Sequence, residues 1–277
     1  MTSRLILCAD DFAMSPAISA AIARLAASDR INAISCMAIM PGWIEDERRL
    51  ADLPDQVAVG LHLVLTDLPA LSGASALAPG GTLLPLSDLG RQSLTGRLPL
   101  AAVRTEIDHQ FERFAEATGR APAFVDGHQH CHHLPHIRQI VFDVTARRAP
   151  GVWLRDCSDR PSAMLARPFA MKAIRSAAWS AGFAKGAAAL GLGVNRGFAG
   201  HYDFKRSMAD LFECFLIRPG DRHLVMCHPG DGDLIGDTIA AARRAEYQVL
   251  AALPVRAIAE AAGLAFDSGF GFTMGRA

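Results

Sequence analysis

The sequence predicts an α/β fold of the TIM-barrel kind, distorted or incomplete, with about seven parallel strands in one catalytic domain over residues 1–277. Three observations predict it. Short apolar runs with little alternation recur along the chain, as expected of parallel strands buried on both faces. Between them lie stretches with helical periodicity, giving a strand-then-helix order. Finally, four of the apolar runs end in acid or histidine: residues 5–9 in Asp10-Asp11, 57–61 in His62, 124–125 in Asp126-Gly127-His128-Gln129-His130, and 224–227 in His228. The C-terminal strand edge is where β/α folds collect ligand-binding groups. Because the runs are far apart in sequence and their polar ends need to converge, a barrel is preferred to a doubly wound sheet.

The elements follow in order. After the first strand, Ser15 is an N-cap with Pro16 at the first helical position, and Ile18, Ile22 and Leu25 recur at helical spacing. A strand over 33–40 stops at Pro41-Gly42 and leads to a helix over 43–53, then to the strand ending in His62. Residues 66–99 are rich in Pro, Gly, Ser and Leu without sustained periodicity, which predicts a long loop or small insertion of the size that often forms a lid. Helix resumes with Val103, Ile107, Phe111 and Phe114 on one face and Gly119 as C-cap. Beyond the Phe124 strand come a helix with Ile137, Ile140, Val141 and Val144, a strand at Val152-Trp153-Leu154, and an irregular small-residue stretch to about Gly200. A helix with Leu211, Phe212 and Phe215, the strand ending at His228, and a helix through Val249 complete the pattern, and the tail after about 267 reads as loose.

Charge narrows the partners. With 28 basic and 28 acidic residues there is no electrostatic reason to expect nucleic acid or an anionic membrane surface, so a neutral or small ligand is favoured. The apolar run before Asp10 is too short for a signal peptide, and the stretch nearest to a membrane span, 179–194, is broken by Lys185 and several glycines. Six cysteines without C-x-x-C spacing read as reduced, mostly buried thiols, which predicts a cytoplasmic protein. A homodimer is compatible with the sequence.

The chemistry starts from Asp10-Asp11. Adjacent carboxylates at the end of a buried run repel and lose hydration, so a fold that keeps them there offers a cation or a shared proton. Taken alone, the pair could equally be an N-cap and a solvated loop acid. Imidazoles at equivalent positions favour the first view, because one carboxylate, two histidines and open water positions suit Zn²⁺ or another divalent metal. The 126–133 segment packs four of the ten histidines into six residues directly after a strand. If extended, it points His128 and His130 the same way, with His132 or His133 orienting substrate or exposed. His62 and His228 each have an ordinary alternative as hydrogen-bonded core histidines. Arg155 and Asp156 close the Trp153 strand at the same edge, either as an ion pair or as a device that orients a catalytic carboxylate. Phe12, Trp43, Trp153 and Trp179 could stack on a sugar, although packing is the better default for each.

Together, Ala9-Asp10-Asp11-Phe12-Ala13-Met14-Ser15, Gly60-Leu61-His62-Leu63-Val64-Leu65-Thr66, Asp126-Gly127-His128-Gln129-His130-Cys131-His132 and Met226-Cys227-His228-Pro229-Gly230 closely resemble the YdjC-like carbohydrate deacetylases, in order from about residue 4 to about 266. The resemblance implies a TIM-barrel-like fold and a metal-dependent hydrolase acting on N-acetylated sugars. It further implies Asp11, His62 and His128 as ligands of one divalent metal, Mg or Zn, and Asp10 as the catalytic acid/base residue. Ala13 departs from the glycine common after Asp-Asp-Phe in the family, a change of one methyl group that spares every chemical side chain. Members tied to hopanoid lipids carry a different histidine motif, and this chain looks more like the oligosaccharide branch.

The expected reaction is hydrolysis of an acetamido group on an N-acetylglucosamine-containing oligosaccharide or glycoconjugate. The metal polarises the carbonyl and acidifies its water, Asp10 takes the proton, and His228, expected across the barrel mouth, protonates the leaving amine. His130, Asp126, Arg155 and Phe12 are the candidates for substrate contact or support. Competing readings are another metal-dependent barrel enzyme, such as a sugar isomerase or phosphoester hydrolase, and a sugar-binding protein without turnover.

Overall fold

Among the described residues, nine strands pair in parallel into one sheet. In this computed structural model, which describes residues 3–73, 76–232, 234 and 236–268, they are β1 (Arg4–Phe12), β2 (Ala33–Cys36), β3 (Ala58–Leu63), β4 (Phe124–Gly127), β5 (Trp153–Leu154), β6 (Gly193–Val194), β7 (Phe198–Ala199), β8 (Arg222–Cys227) and β9 (Ala265–Phe266). Their order is β6-β5-β4-β3-β2-β1-β8-β7, with β9 added against the start of β1. Among the described residues no parallel ladder joins β6 to β7, so the barrel stays open there. An antiparallel bridge, Arg196↔Arg222, stands near the gap. The sheet is therefore an incomplete parallel barrel of nine strands against about seven expected; β6, β7 and β9, each two residues long, are the ones the apolar runs do not mark.

The helices are α1 (Pro16–Ala27), α2 (Trp43–Glu47), α3 (Leu86–Leu94), α4 (Leu100–Thr118), α5 (Ile137–Arg148), α6 (Pro161–Ala166), α7 (Ala170–Trp179), α8 (Phe183–Ala189), α9 (Met208–Phe215), α10 (Ala240–Ala252) and α11 (Val255–Ala261). Local chemistry explains the clearest of them. Ser15 Oγ accepts from the Ile18 N–H at the start of α1, and Gly119 closes α4 in the left-handed conformation at φ +66°. Several expected bounds change. Strand β2 ends at Cys36 because residues 37–40 close a turn, Met40 N–H onto Met37 O. The helix expected over 43–53 is α2 followed by a 3-10 turn at Arg48–Leu50. The 66–99 segment carries α3, and the irregular stretch to Gly200 carries α6, α7 and α8. Most of the tail expected to be loose, 269–277, lies outside the described residues. No described helix is long and apolar enough to cross a membrane.

Two apolar clusters occupy the two faces of the sheet. Leu5, Leu7 and Ala9 of β1 join the large cluster formed with the helices, whereas Ile6 and Cys8 join a small one with Ala33, Ala58, Phe124, Trp153, Leu224 and Met226. The small cluster is the barrel interior. Since side chains alternate along a strand, the inward positions continue one step further to Asp10, Ser35, His62, Asp126, Arg155 and His228. Apolar layers thus fill the barrel, and a polar layer caps it at the C-terminal ends of the strands.

Candidate active site

Asp11 should break this pattern, because alternation after Asp10 aims its side chain outward. The β1–β2 register shifts between Ala9 and Phe12, and Asp11 has φ +66°. A bulge of this kind re-aims a side chain. It brings the Asp11 carboxylate to the mouth, where Oδ1 lies 3.0 Å from His128 Nδ1 and 3.4 Å from His62 Nε2. Ligating atoms of Asp11, His62 and His128 all fall within 4.8 Å of one another.

His62 is held in one orientation. Its Nδ1 lies 2.6 Å from Asp126 Oδ1, which also accepts the Ser35 hydroxyl at 2.5 Å, leaving Nε2 aimed at Asp11. A carboxylate behind one ring nitrogen fixes the tautomer and orientation that a metal-ligating histidine needs. Burial alone disfavours a charged ring, but Asp126, together with hydrogen bonds to Asp11 and Asp126, pushes His62 up to about 10. Negative charge concentrated at this point favours a cation, whether a proton or a metal. Two nitrogens and a carboxylate oxygen, converging and partly open to a cavity, fit a divalent ion.

Asp10 belongs to a different network. Arg155 donates from Nη1 to Asp10 Oδ2 at 2.6 Å and from Nη2 to Asp10 Oδ1 at 2.5 Å, and its Nη2 is also 2.5 Å from Asp126 Oδ2. Burial would raise the Asp10 carboxyl, yet the guanidinium charge and its hydrogen bonds outweigh that and hold it below the ordinary carboxylate range. Cys8, Asp10 and Asp126 have the spacing of a metal cluster too, but Arg155 already serves as their cation. Above these groups opens a cavity of about 1280 Å³ whose wall includes Asp10, Asp11, His62, His128, Trp179 and His228.

A model of the YdjC-like protein family matches residues 4–261. The chain belongs to the YdjC-like family. It is 27% identical over 256 residues to a chitooligosaccharide deacetylase of Klebsiella pneumoniae (strain 342), covering 91% of this chain and 92% of that protein. A carbohydrate deacetylase of Mus musculus is 31% identical over 154 residues, 54% of this chain and 48% of that protein. Among solved structures, a proposed cellobiose-phosphate cleavage protein from Enterococcus faecalis V583 shares the fold, with a TM-score of 0.73 at 20% identity over 96% of this chain and 97% of the other.

In this YdjC-like protein the remaining histidines divide by location. His130 does not accompany His128, because Gln129 and His130 take left-handed φ of 52° and 58° and the segment is a tight turn, not a strand. His130 Nδ1 instead sits 3.4 Å from Cys157 Sγ, and burial, followed by His201 and Arg155, lowers its pKa. His132 and His133 both place Nε2 on the Arg155 carbonyl, at 2.9 and 3.0 Å. They are buried supports of the Arg155 backbone. Cys131 is buried on the Leu63 carbonyl, and burial pushes its thiol up to about 12.

His228 is not across the mouth. Its strand β8 is the neighbour of β1, which brings His228 Nε2 to 3.9 Å from Asp10 Oδ2. Asp156 is not the partner of Arg155 either; its Oδ1 accepts the Ser158 N–H. Phe12 is fully buried edge-on against Trp43 and Trp153 is stacked on Phe124, so neither offers a face to a sugar, whereas Trp179 lines the cavity at 37% exposure. Four further side chains act here without a sequence signal. They are Ser35 on Asp126, Arg243 on Asp11, Glu246 on the His228 backbone, and Tyr202 on Glu246. Glu246 Oε2 accepts the His228 backbone N–H at 2.5 Å and its other oxygen accepts the Tyr202 hydroxyl. Serine in a strand and Arg or Glu on a helix ordinarily read as filler and solvated face.

Proposed function

We propose that this protein is a metal-dependent hydrolase that removes acetyl groups from N-acetylated sugars, oligosaccharides or glycoconjugates containing N-acetylglucosamine. One observation carries the reading: Asp11, His62 and His128 converge beside an Asp10 that Arg155 keeps ionised, at the floor of a cavity large enough for a disaccharide. The reaction class comes from the relatives named chitooligosaccharide deacetylase and carbohydrate deacetylase.

Asp11, His62 and His128 would hold the ion, and their two nitrogens favour zinc or another first-row metal over magnesium, which prefers oxygen donors. When bound, the ion polarises the acetamido carbonyl and acidifies the attacking water. Asp10 takes the proton of that water. Its two oxygens are fixed by the Arg155 fork, so it does not rotate away, and its ionised state is secured before substrate arrives. As the carbon–nitrogen bond breaks, His228 gives a proton to the departing amine. Glu246 fixes the backbone from which His228 projects. Acetate and the free amino sugar are the products.

Other metal-dependent chemistry is less well served. Isomerases gather several carboxylates at the metal, whereas here Asp10 and Asp126 are committed to Arg155. Phosphoesterases often use two metals, and the nearest second cluster already holds a guanidinium. A cytoplasmic placement is supported by the six free cysteines, five of them buried. The direct test is acetate release from a panel of N-acetylglucosamine oligosaccharides and glycolipids, using metal-stripped and metal-restored protein. Release only after metal is restored is expected; no release from any substrate by the restored protein would sink the proposal.

A further inference from the structure

The two oxygens of Asp11 face different partners. Oδ1 meets the imidazoles of His128 and His62, while Oδ2 accepts from Arg243 Nη2 at 2.7 Å. Arg243 comes from α10 and not from a strand end like the other groups. It is buried, with its side chain 3% exposed, and its Nε donates to Asp237 Oδ2 at 2.7 Å. Asp237 lies on the connection between β8 and α10, and the Arg243 carbonyl accepts the Gly230 N–H at 3.1 Å on the same connection. The guanidinium is therefore gripped from both sides.

Placing a permanent cation against a metal-ligand carboxylate is unfavourable for binding a second cation. Two positive charges sharing one carboxylate repel, and the guanidinium draws electron density from the oxygen it holds. A site selected only to bind metal tightly would not include it. What Arg243 does provide is directional: it holds Oδ2 on the guanidinium, so that Oδ1 is the oxygen Asp11 presents to the imidazoles. A carboxylate free to use both oxygens would occupy an extra position on the ion. A catalytic metal has to keep a position open for water and for the substrate carbonyl.

We propose that Arg243 is a positioning residue that confines Asp11 to one ligating oxygen and so reserves a position on the metal for the reaction. This rests on the deacetylase reading for its activity arm only. Arg243→Met is expected to bind Zn²⁺ or Co²⁺ no more weakly than wild type, by titration of metal-free protein, while kcat for acetate release falls about 10- to 100-fold with little change in KM. Cobalt-loaded protein reports coordination directly, and the visible spectrum of Arg243→Met should show a higher coordination number. Arg243→Lys, which keeps one donor for Oδ2, should return part of the lost kcat and a spectrum nearer to wild type, and it carries the same test if the Met variant does not fold.

Metal affinity that drops 10-fold or more in a folded variant would make Arg243 an ordinary structural support and overturn the proposal. An unchanged cobalt spectrum, or an unchanged kcat, would overturn it too. If wild-type protein releases no acetate from any substrate, the functional reading fails by itself, and titration and spectroscopy still decide the role of Arg243.

Discussion

Asp10 and Asp11 are neighbours in sequence with separate partners because the chain turns left-handed at Asp11, φ +66°. One carboxylate stays in the inward layer under Arg155; the other is lifted to the imidazoles. Asp10→Asn should therefore keep metal and lose about 10²- to 10⁴-fold in turnover, the range expected for a general base. His62→Ala and His128→Ala should lose metal in the same titration; an Asp10→Asn protein with wild-type acetate release would refute the base assignment. These residues were legible because each follows an apolar strand, a place where polar groups need a reason to stand. The relation of His128 to His130 was not, since an alternation argument assumes extended backbone and Gln129 and His130 are not extended. Arg155 was legible only as a choice between an ion pair with Asp156 and the orientation of a carboxylate; its ion pairs are with Asp10 and Asp126 instead. Arg155→Met would strand two buried carboxylates, Asp10 and Asp126, at a cost of about 3–5 kcal/mol. Urea unfolding checks this: a midpoint equal to wild type would mean the carboxylates find another cation.

At the scale of elements, what the sequence discloses depends on length and burial. Helices α1, α4 and α5 each bury a periodic stripe, and their apolar spacing marks them. Helix α7 buries none of its residues, so no stripe announces it, and two-residue strands such as β6 and β7 are too short to show any period. Glycine carries a further signal that only packing reveals. Gly60 occupies an inward position of β3 between Ala58 and His62, and a Cβ there would stand 2.5 Å from the Phe124 ring. That ring is itself pinned by its stack on Trp153, centroids 4.5 Å apart. Gly60→Ala should push Phe124, and with it β4, which also carries Asp126, away from β3 and lower stability by about 1–3 kcal/mol. A loss of metal affinity in the folded variant is expected with it, because His62 and Asp126 ride on the two strands being forced apart.

For the whole molecule, the sequence indicated a barrel through converging strand ends but not where it would fail to close. The opening falls between β6 and β7, a region whose pairing residues carry no distinctive pattern. Next to it, the second residue of β8 is a buried histidine that ties the fold to pH. His223 Nε2 donates to the Phe215 carbonyl at 2.9 Å, and its Nδ1 faces the Gly220 N–H at 3.5 Å, an arrangement that suits only the neutral ring. Asp159 lies 4.0 Å from Nδ1, but Arg167 already pairs with Asp159 at 2.7 Å, and Arg160 adds further positive charge. Burial first, then Arg167, lowers His223 from 6.5 to about 4. Because the folded value is the lower one, the unfolded chain takes up the proton more readily, so stability is complete above pH ~6.5 and declines as the pH falls toward about 4. The loss from this residue is at most on the order of 3 kcal/mol at about 1.4 kcal/mol per unit. His132 and His201, each also held near 4 chiefly by burial, act in the same direction. The melting temperature should fall steadily between pH 6.5 and 4, and His223→Gln, which keeps a donor for the Phe215 carbonyl and cannot titrate, should shallow that slope. A His223→Gln protein whose slope matches wild type would place the acid sensitivity elsewhere.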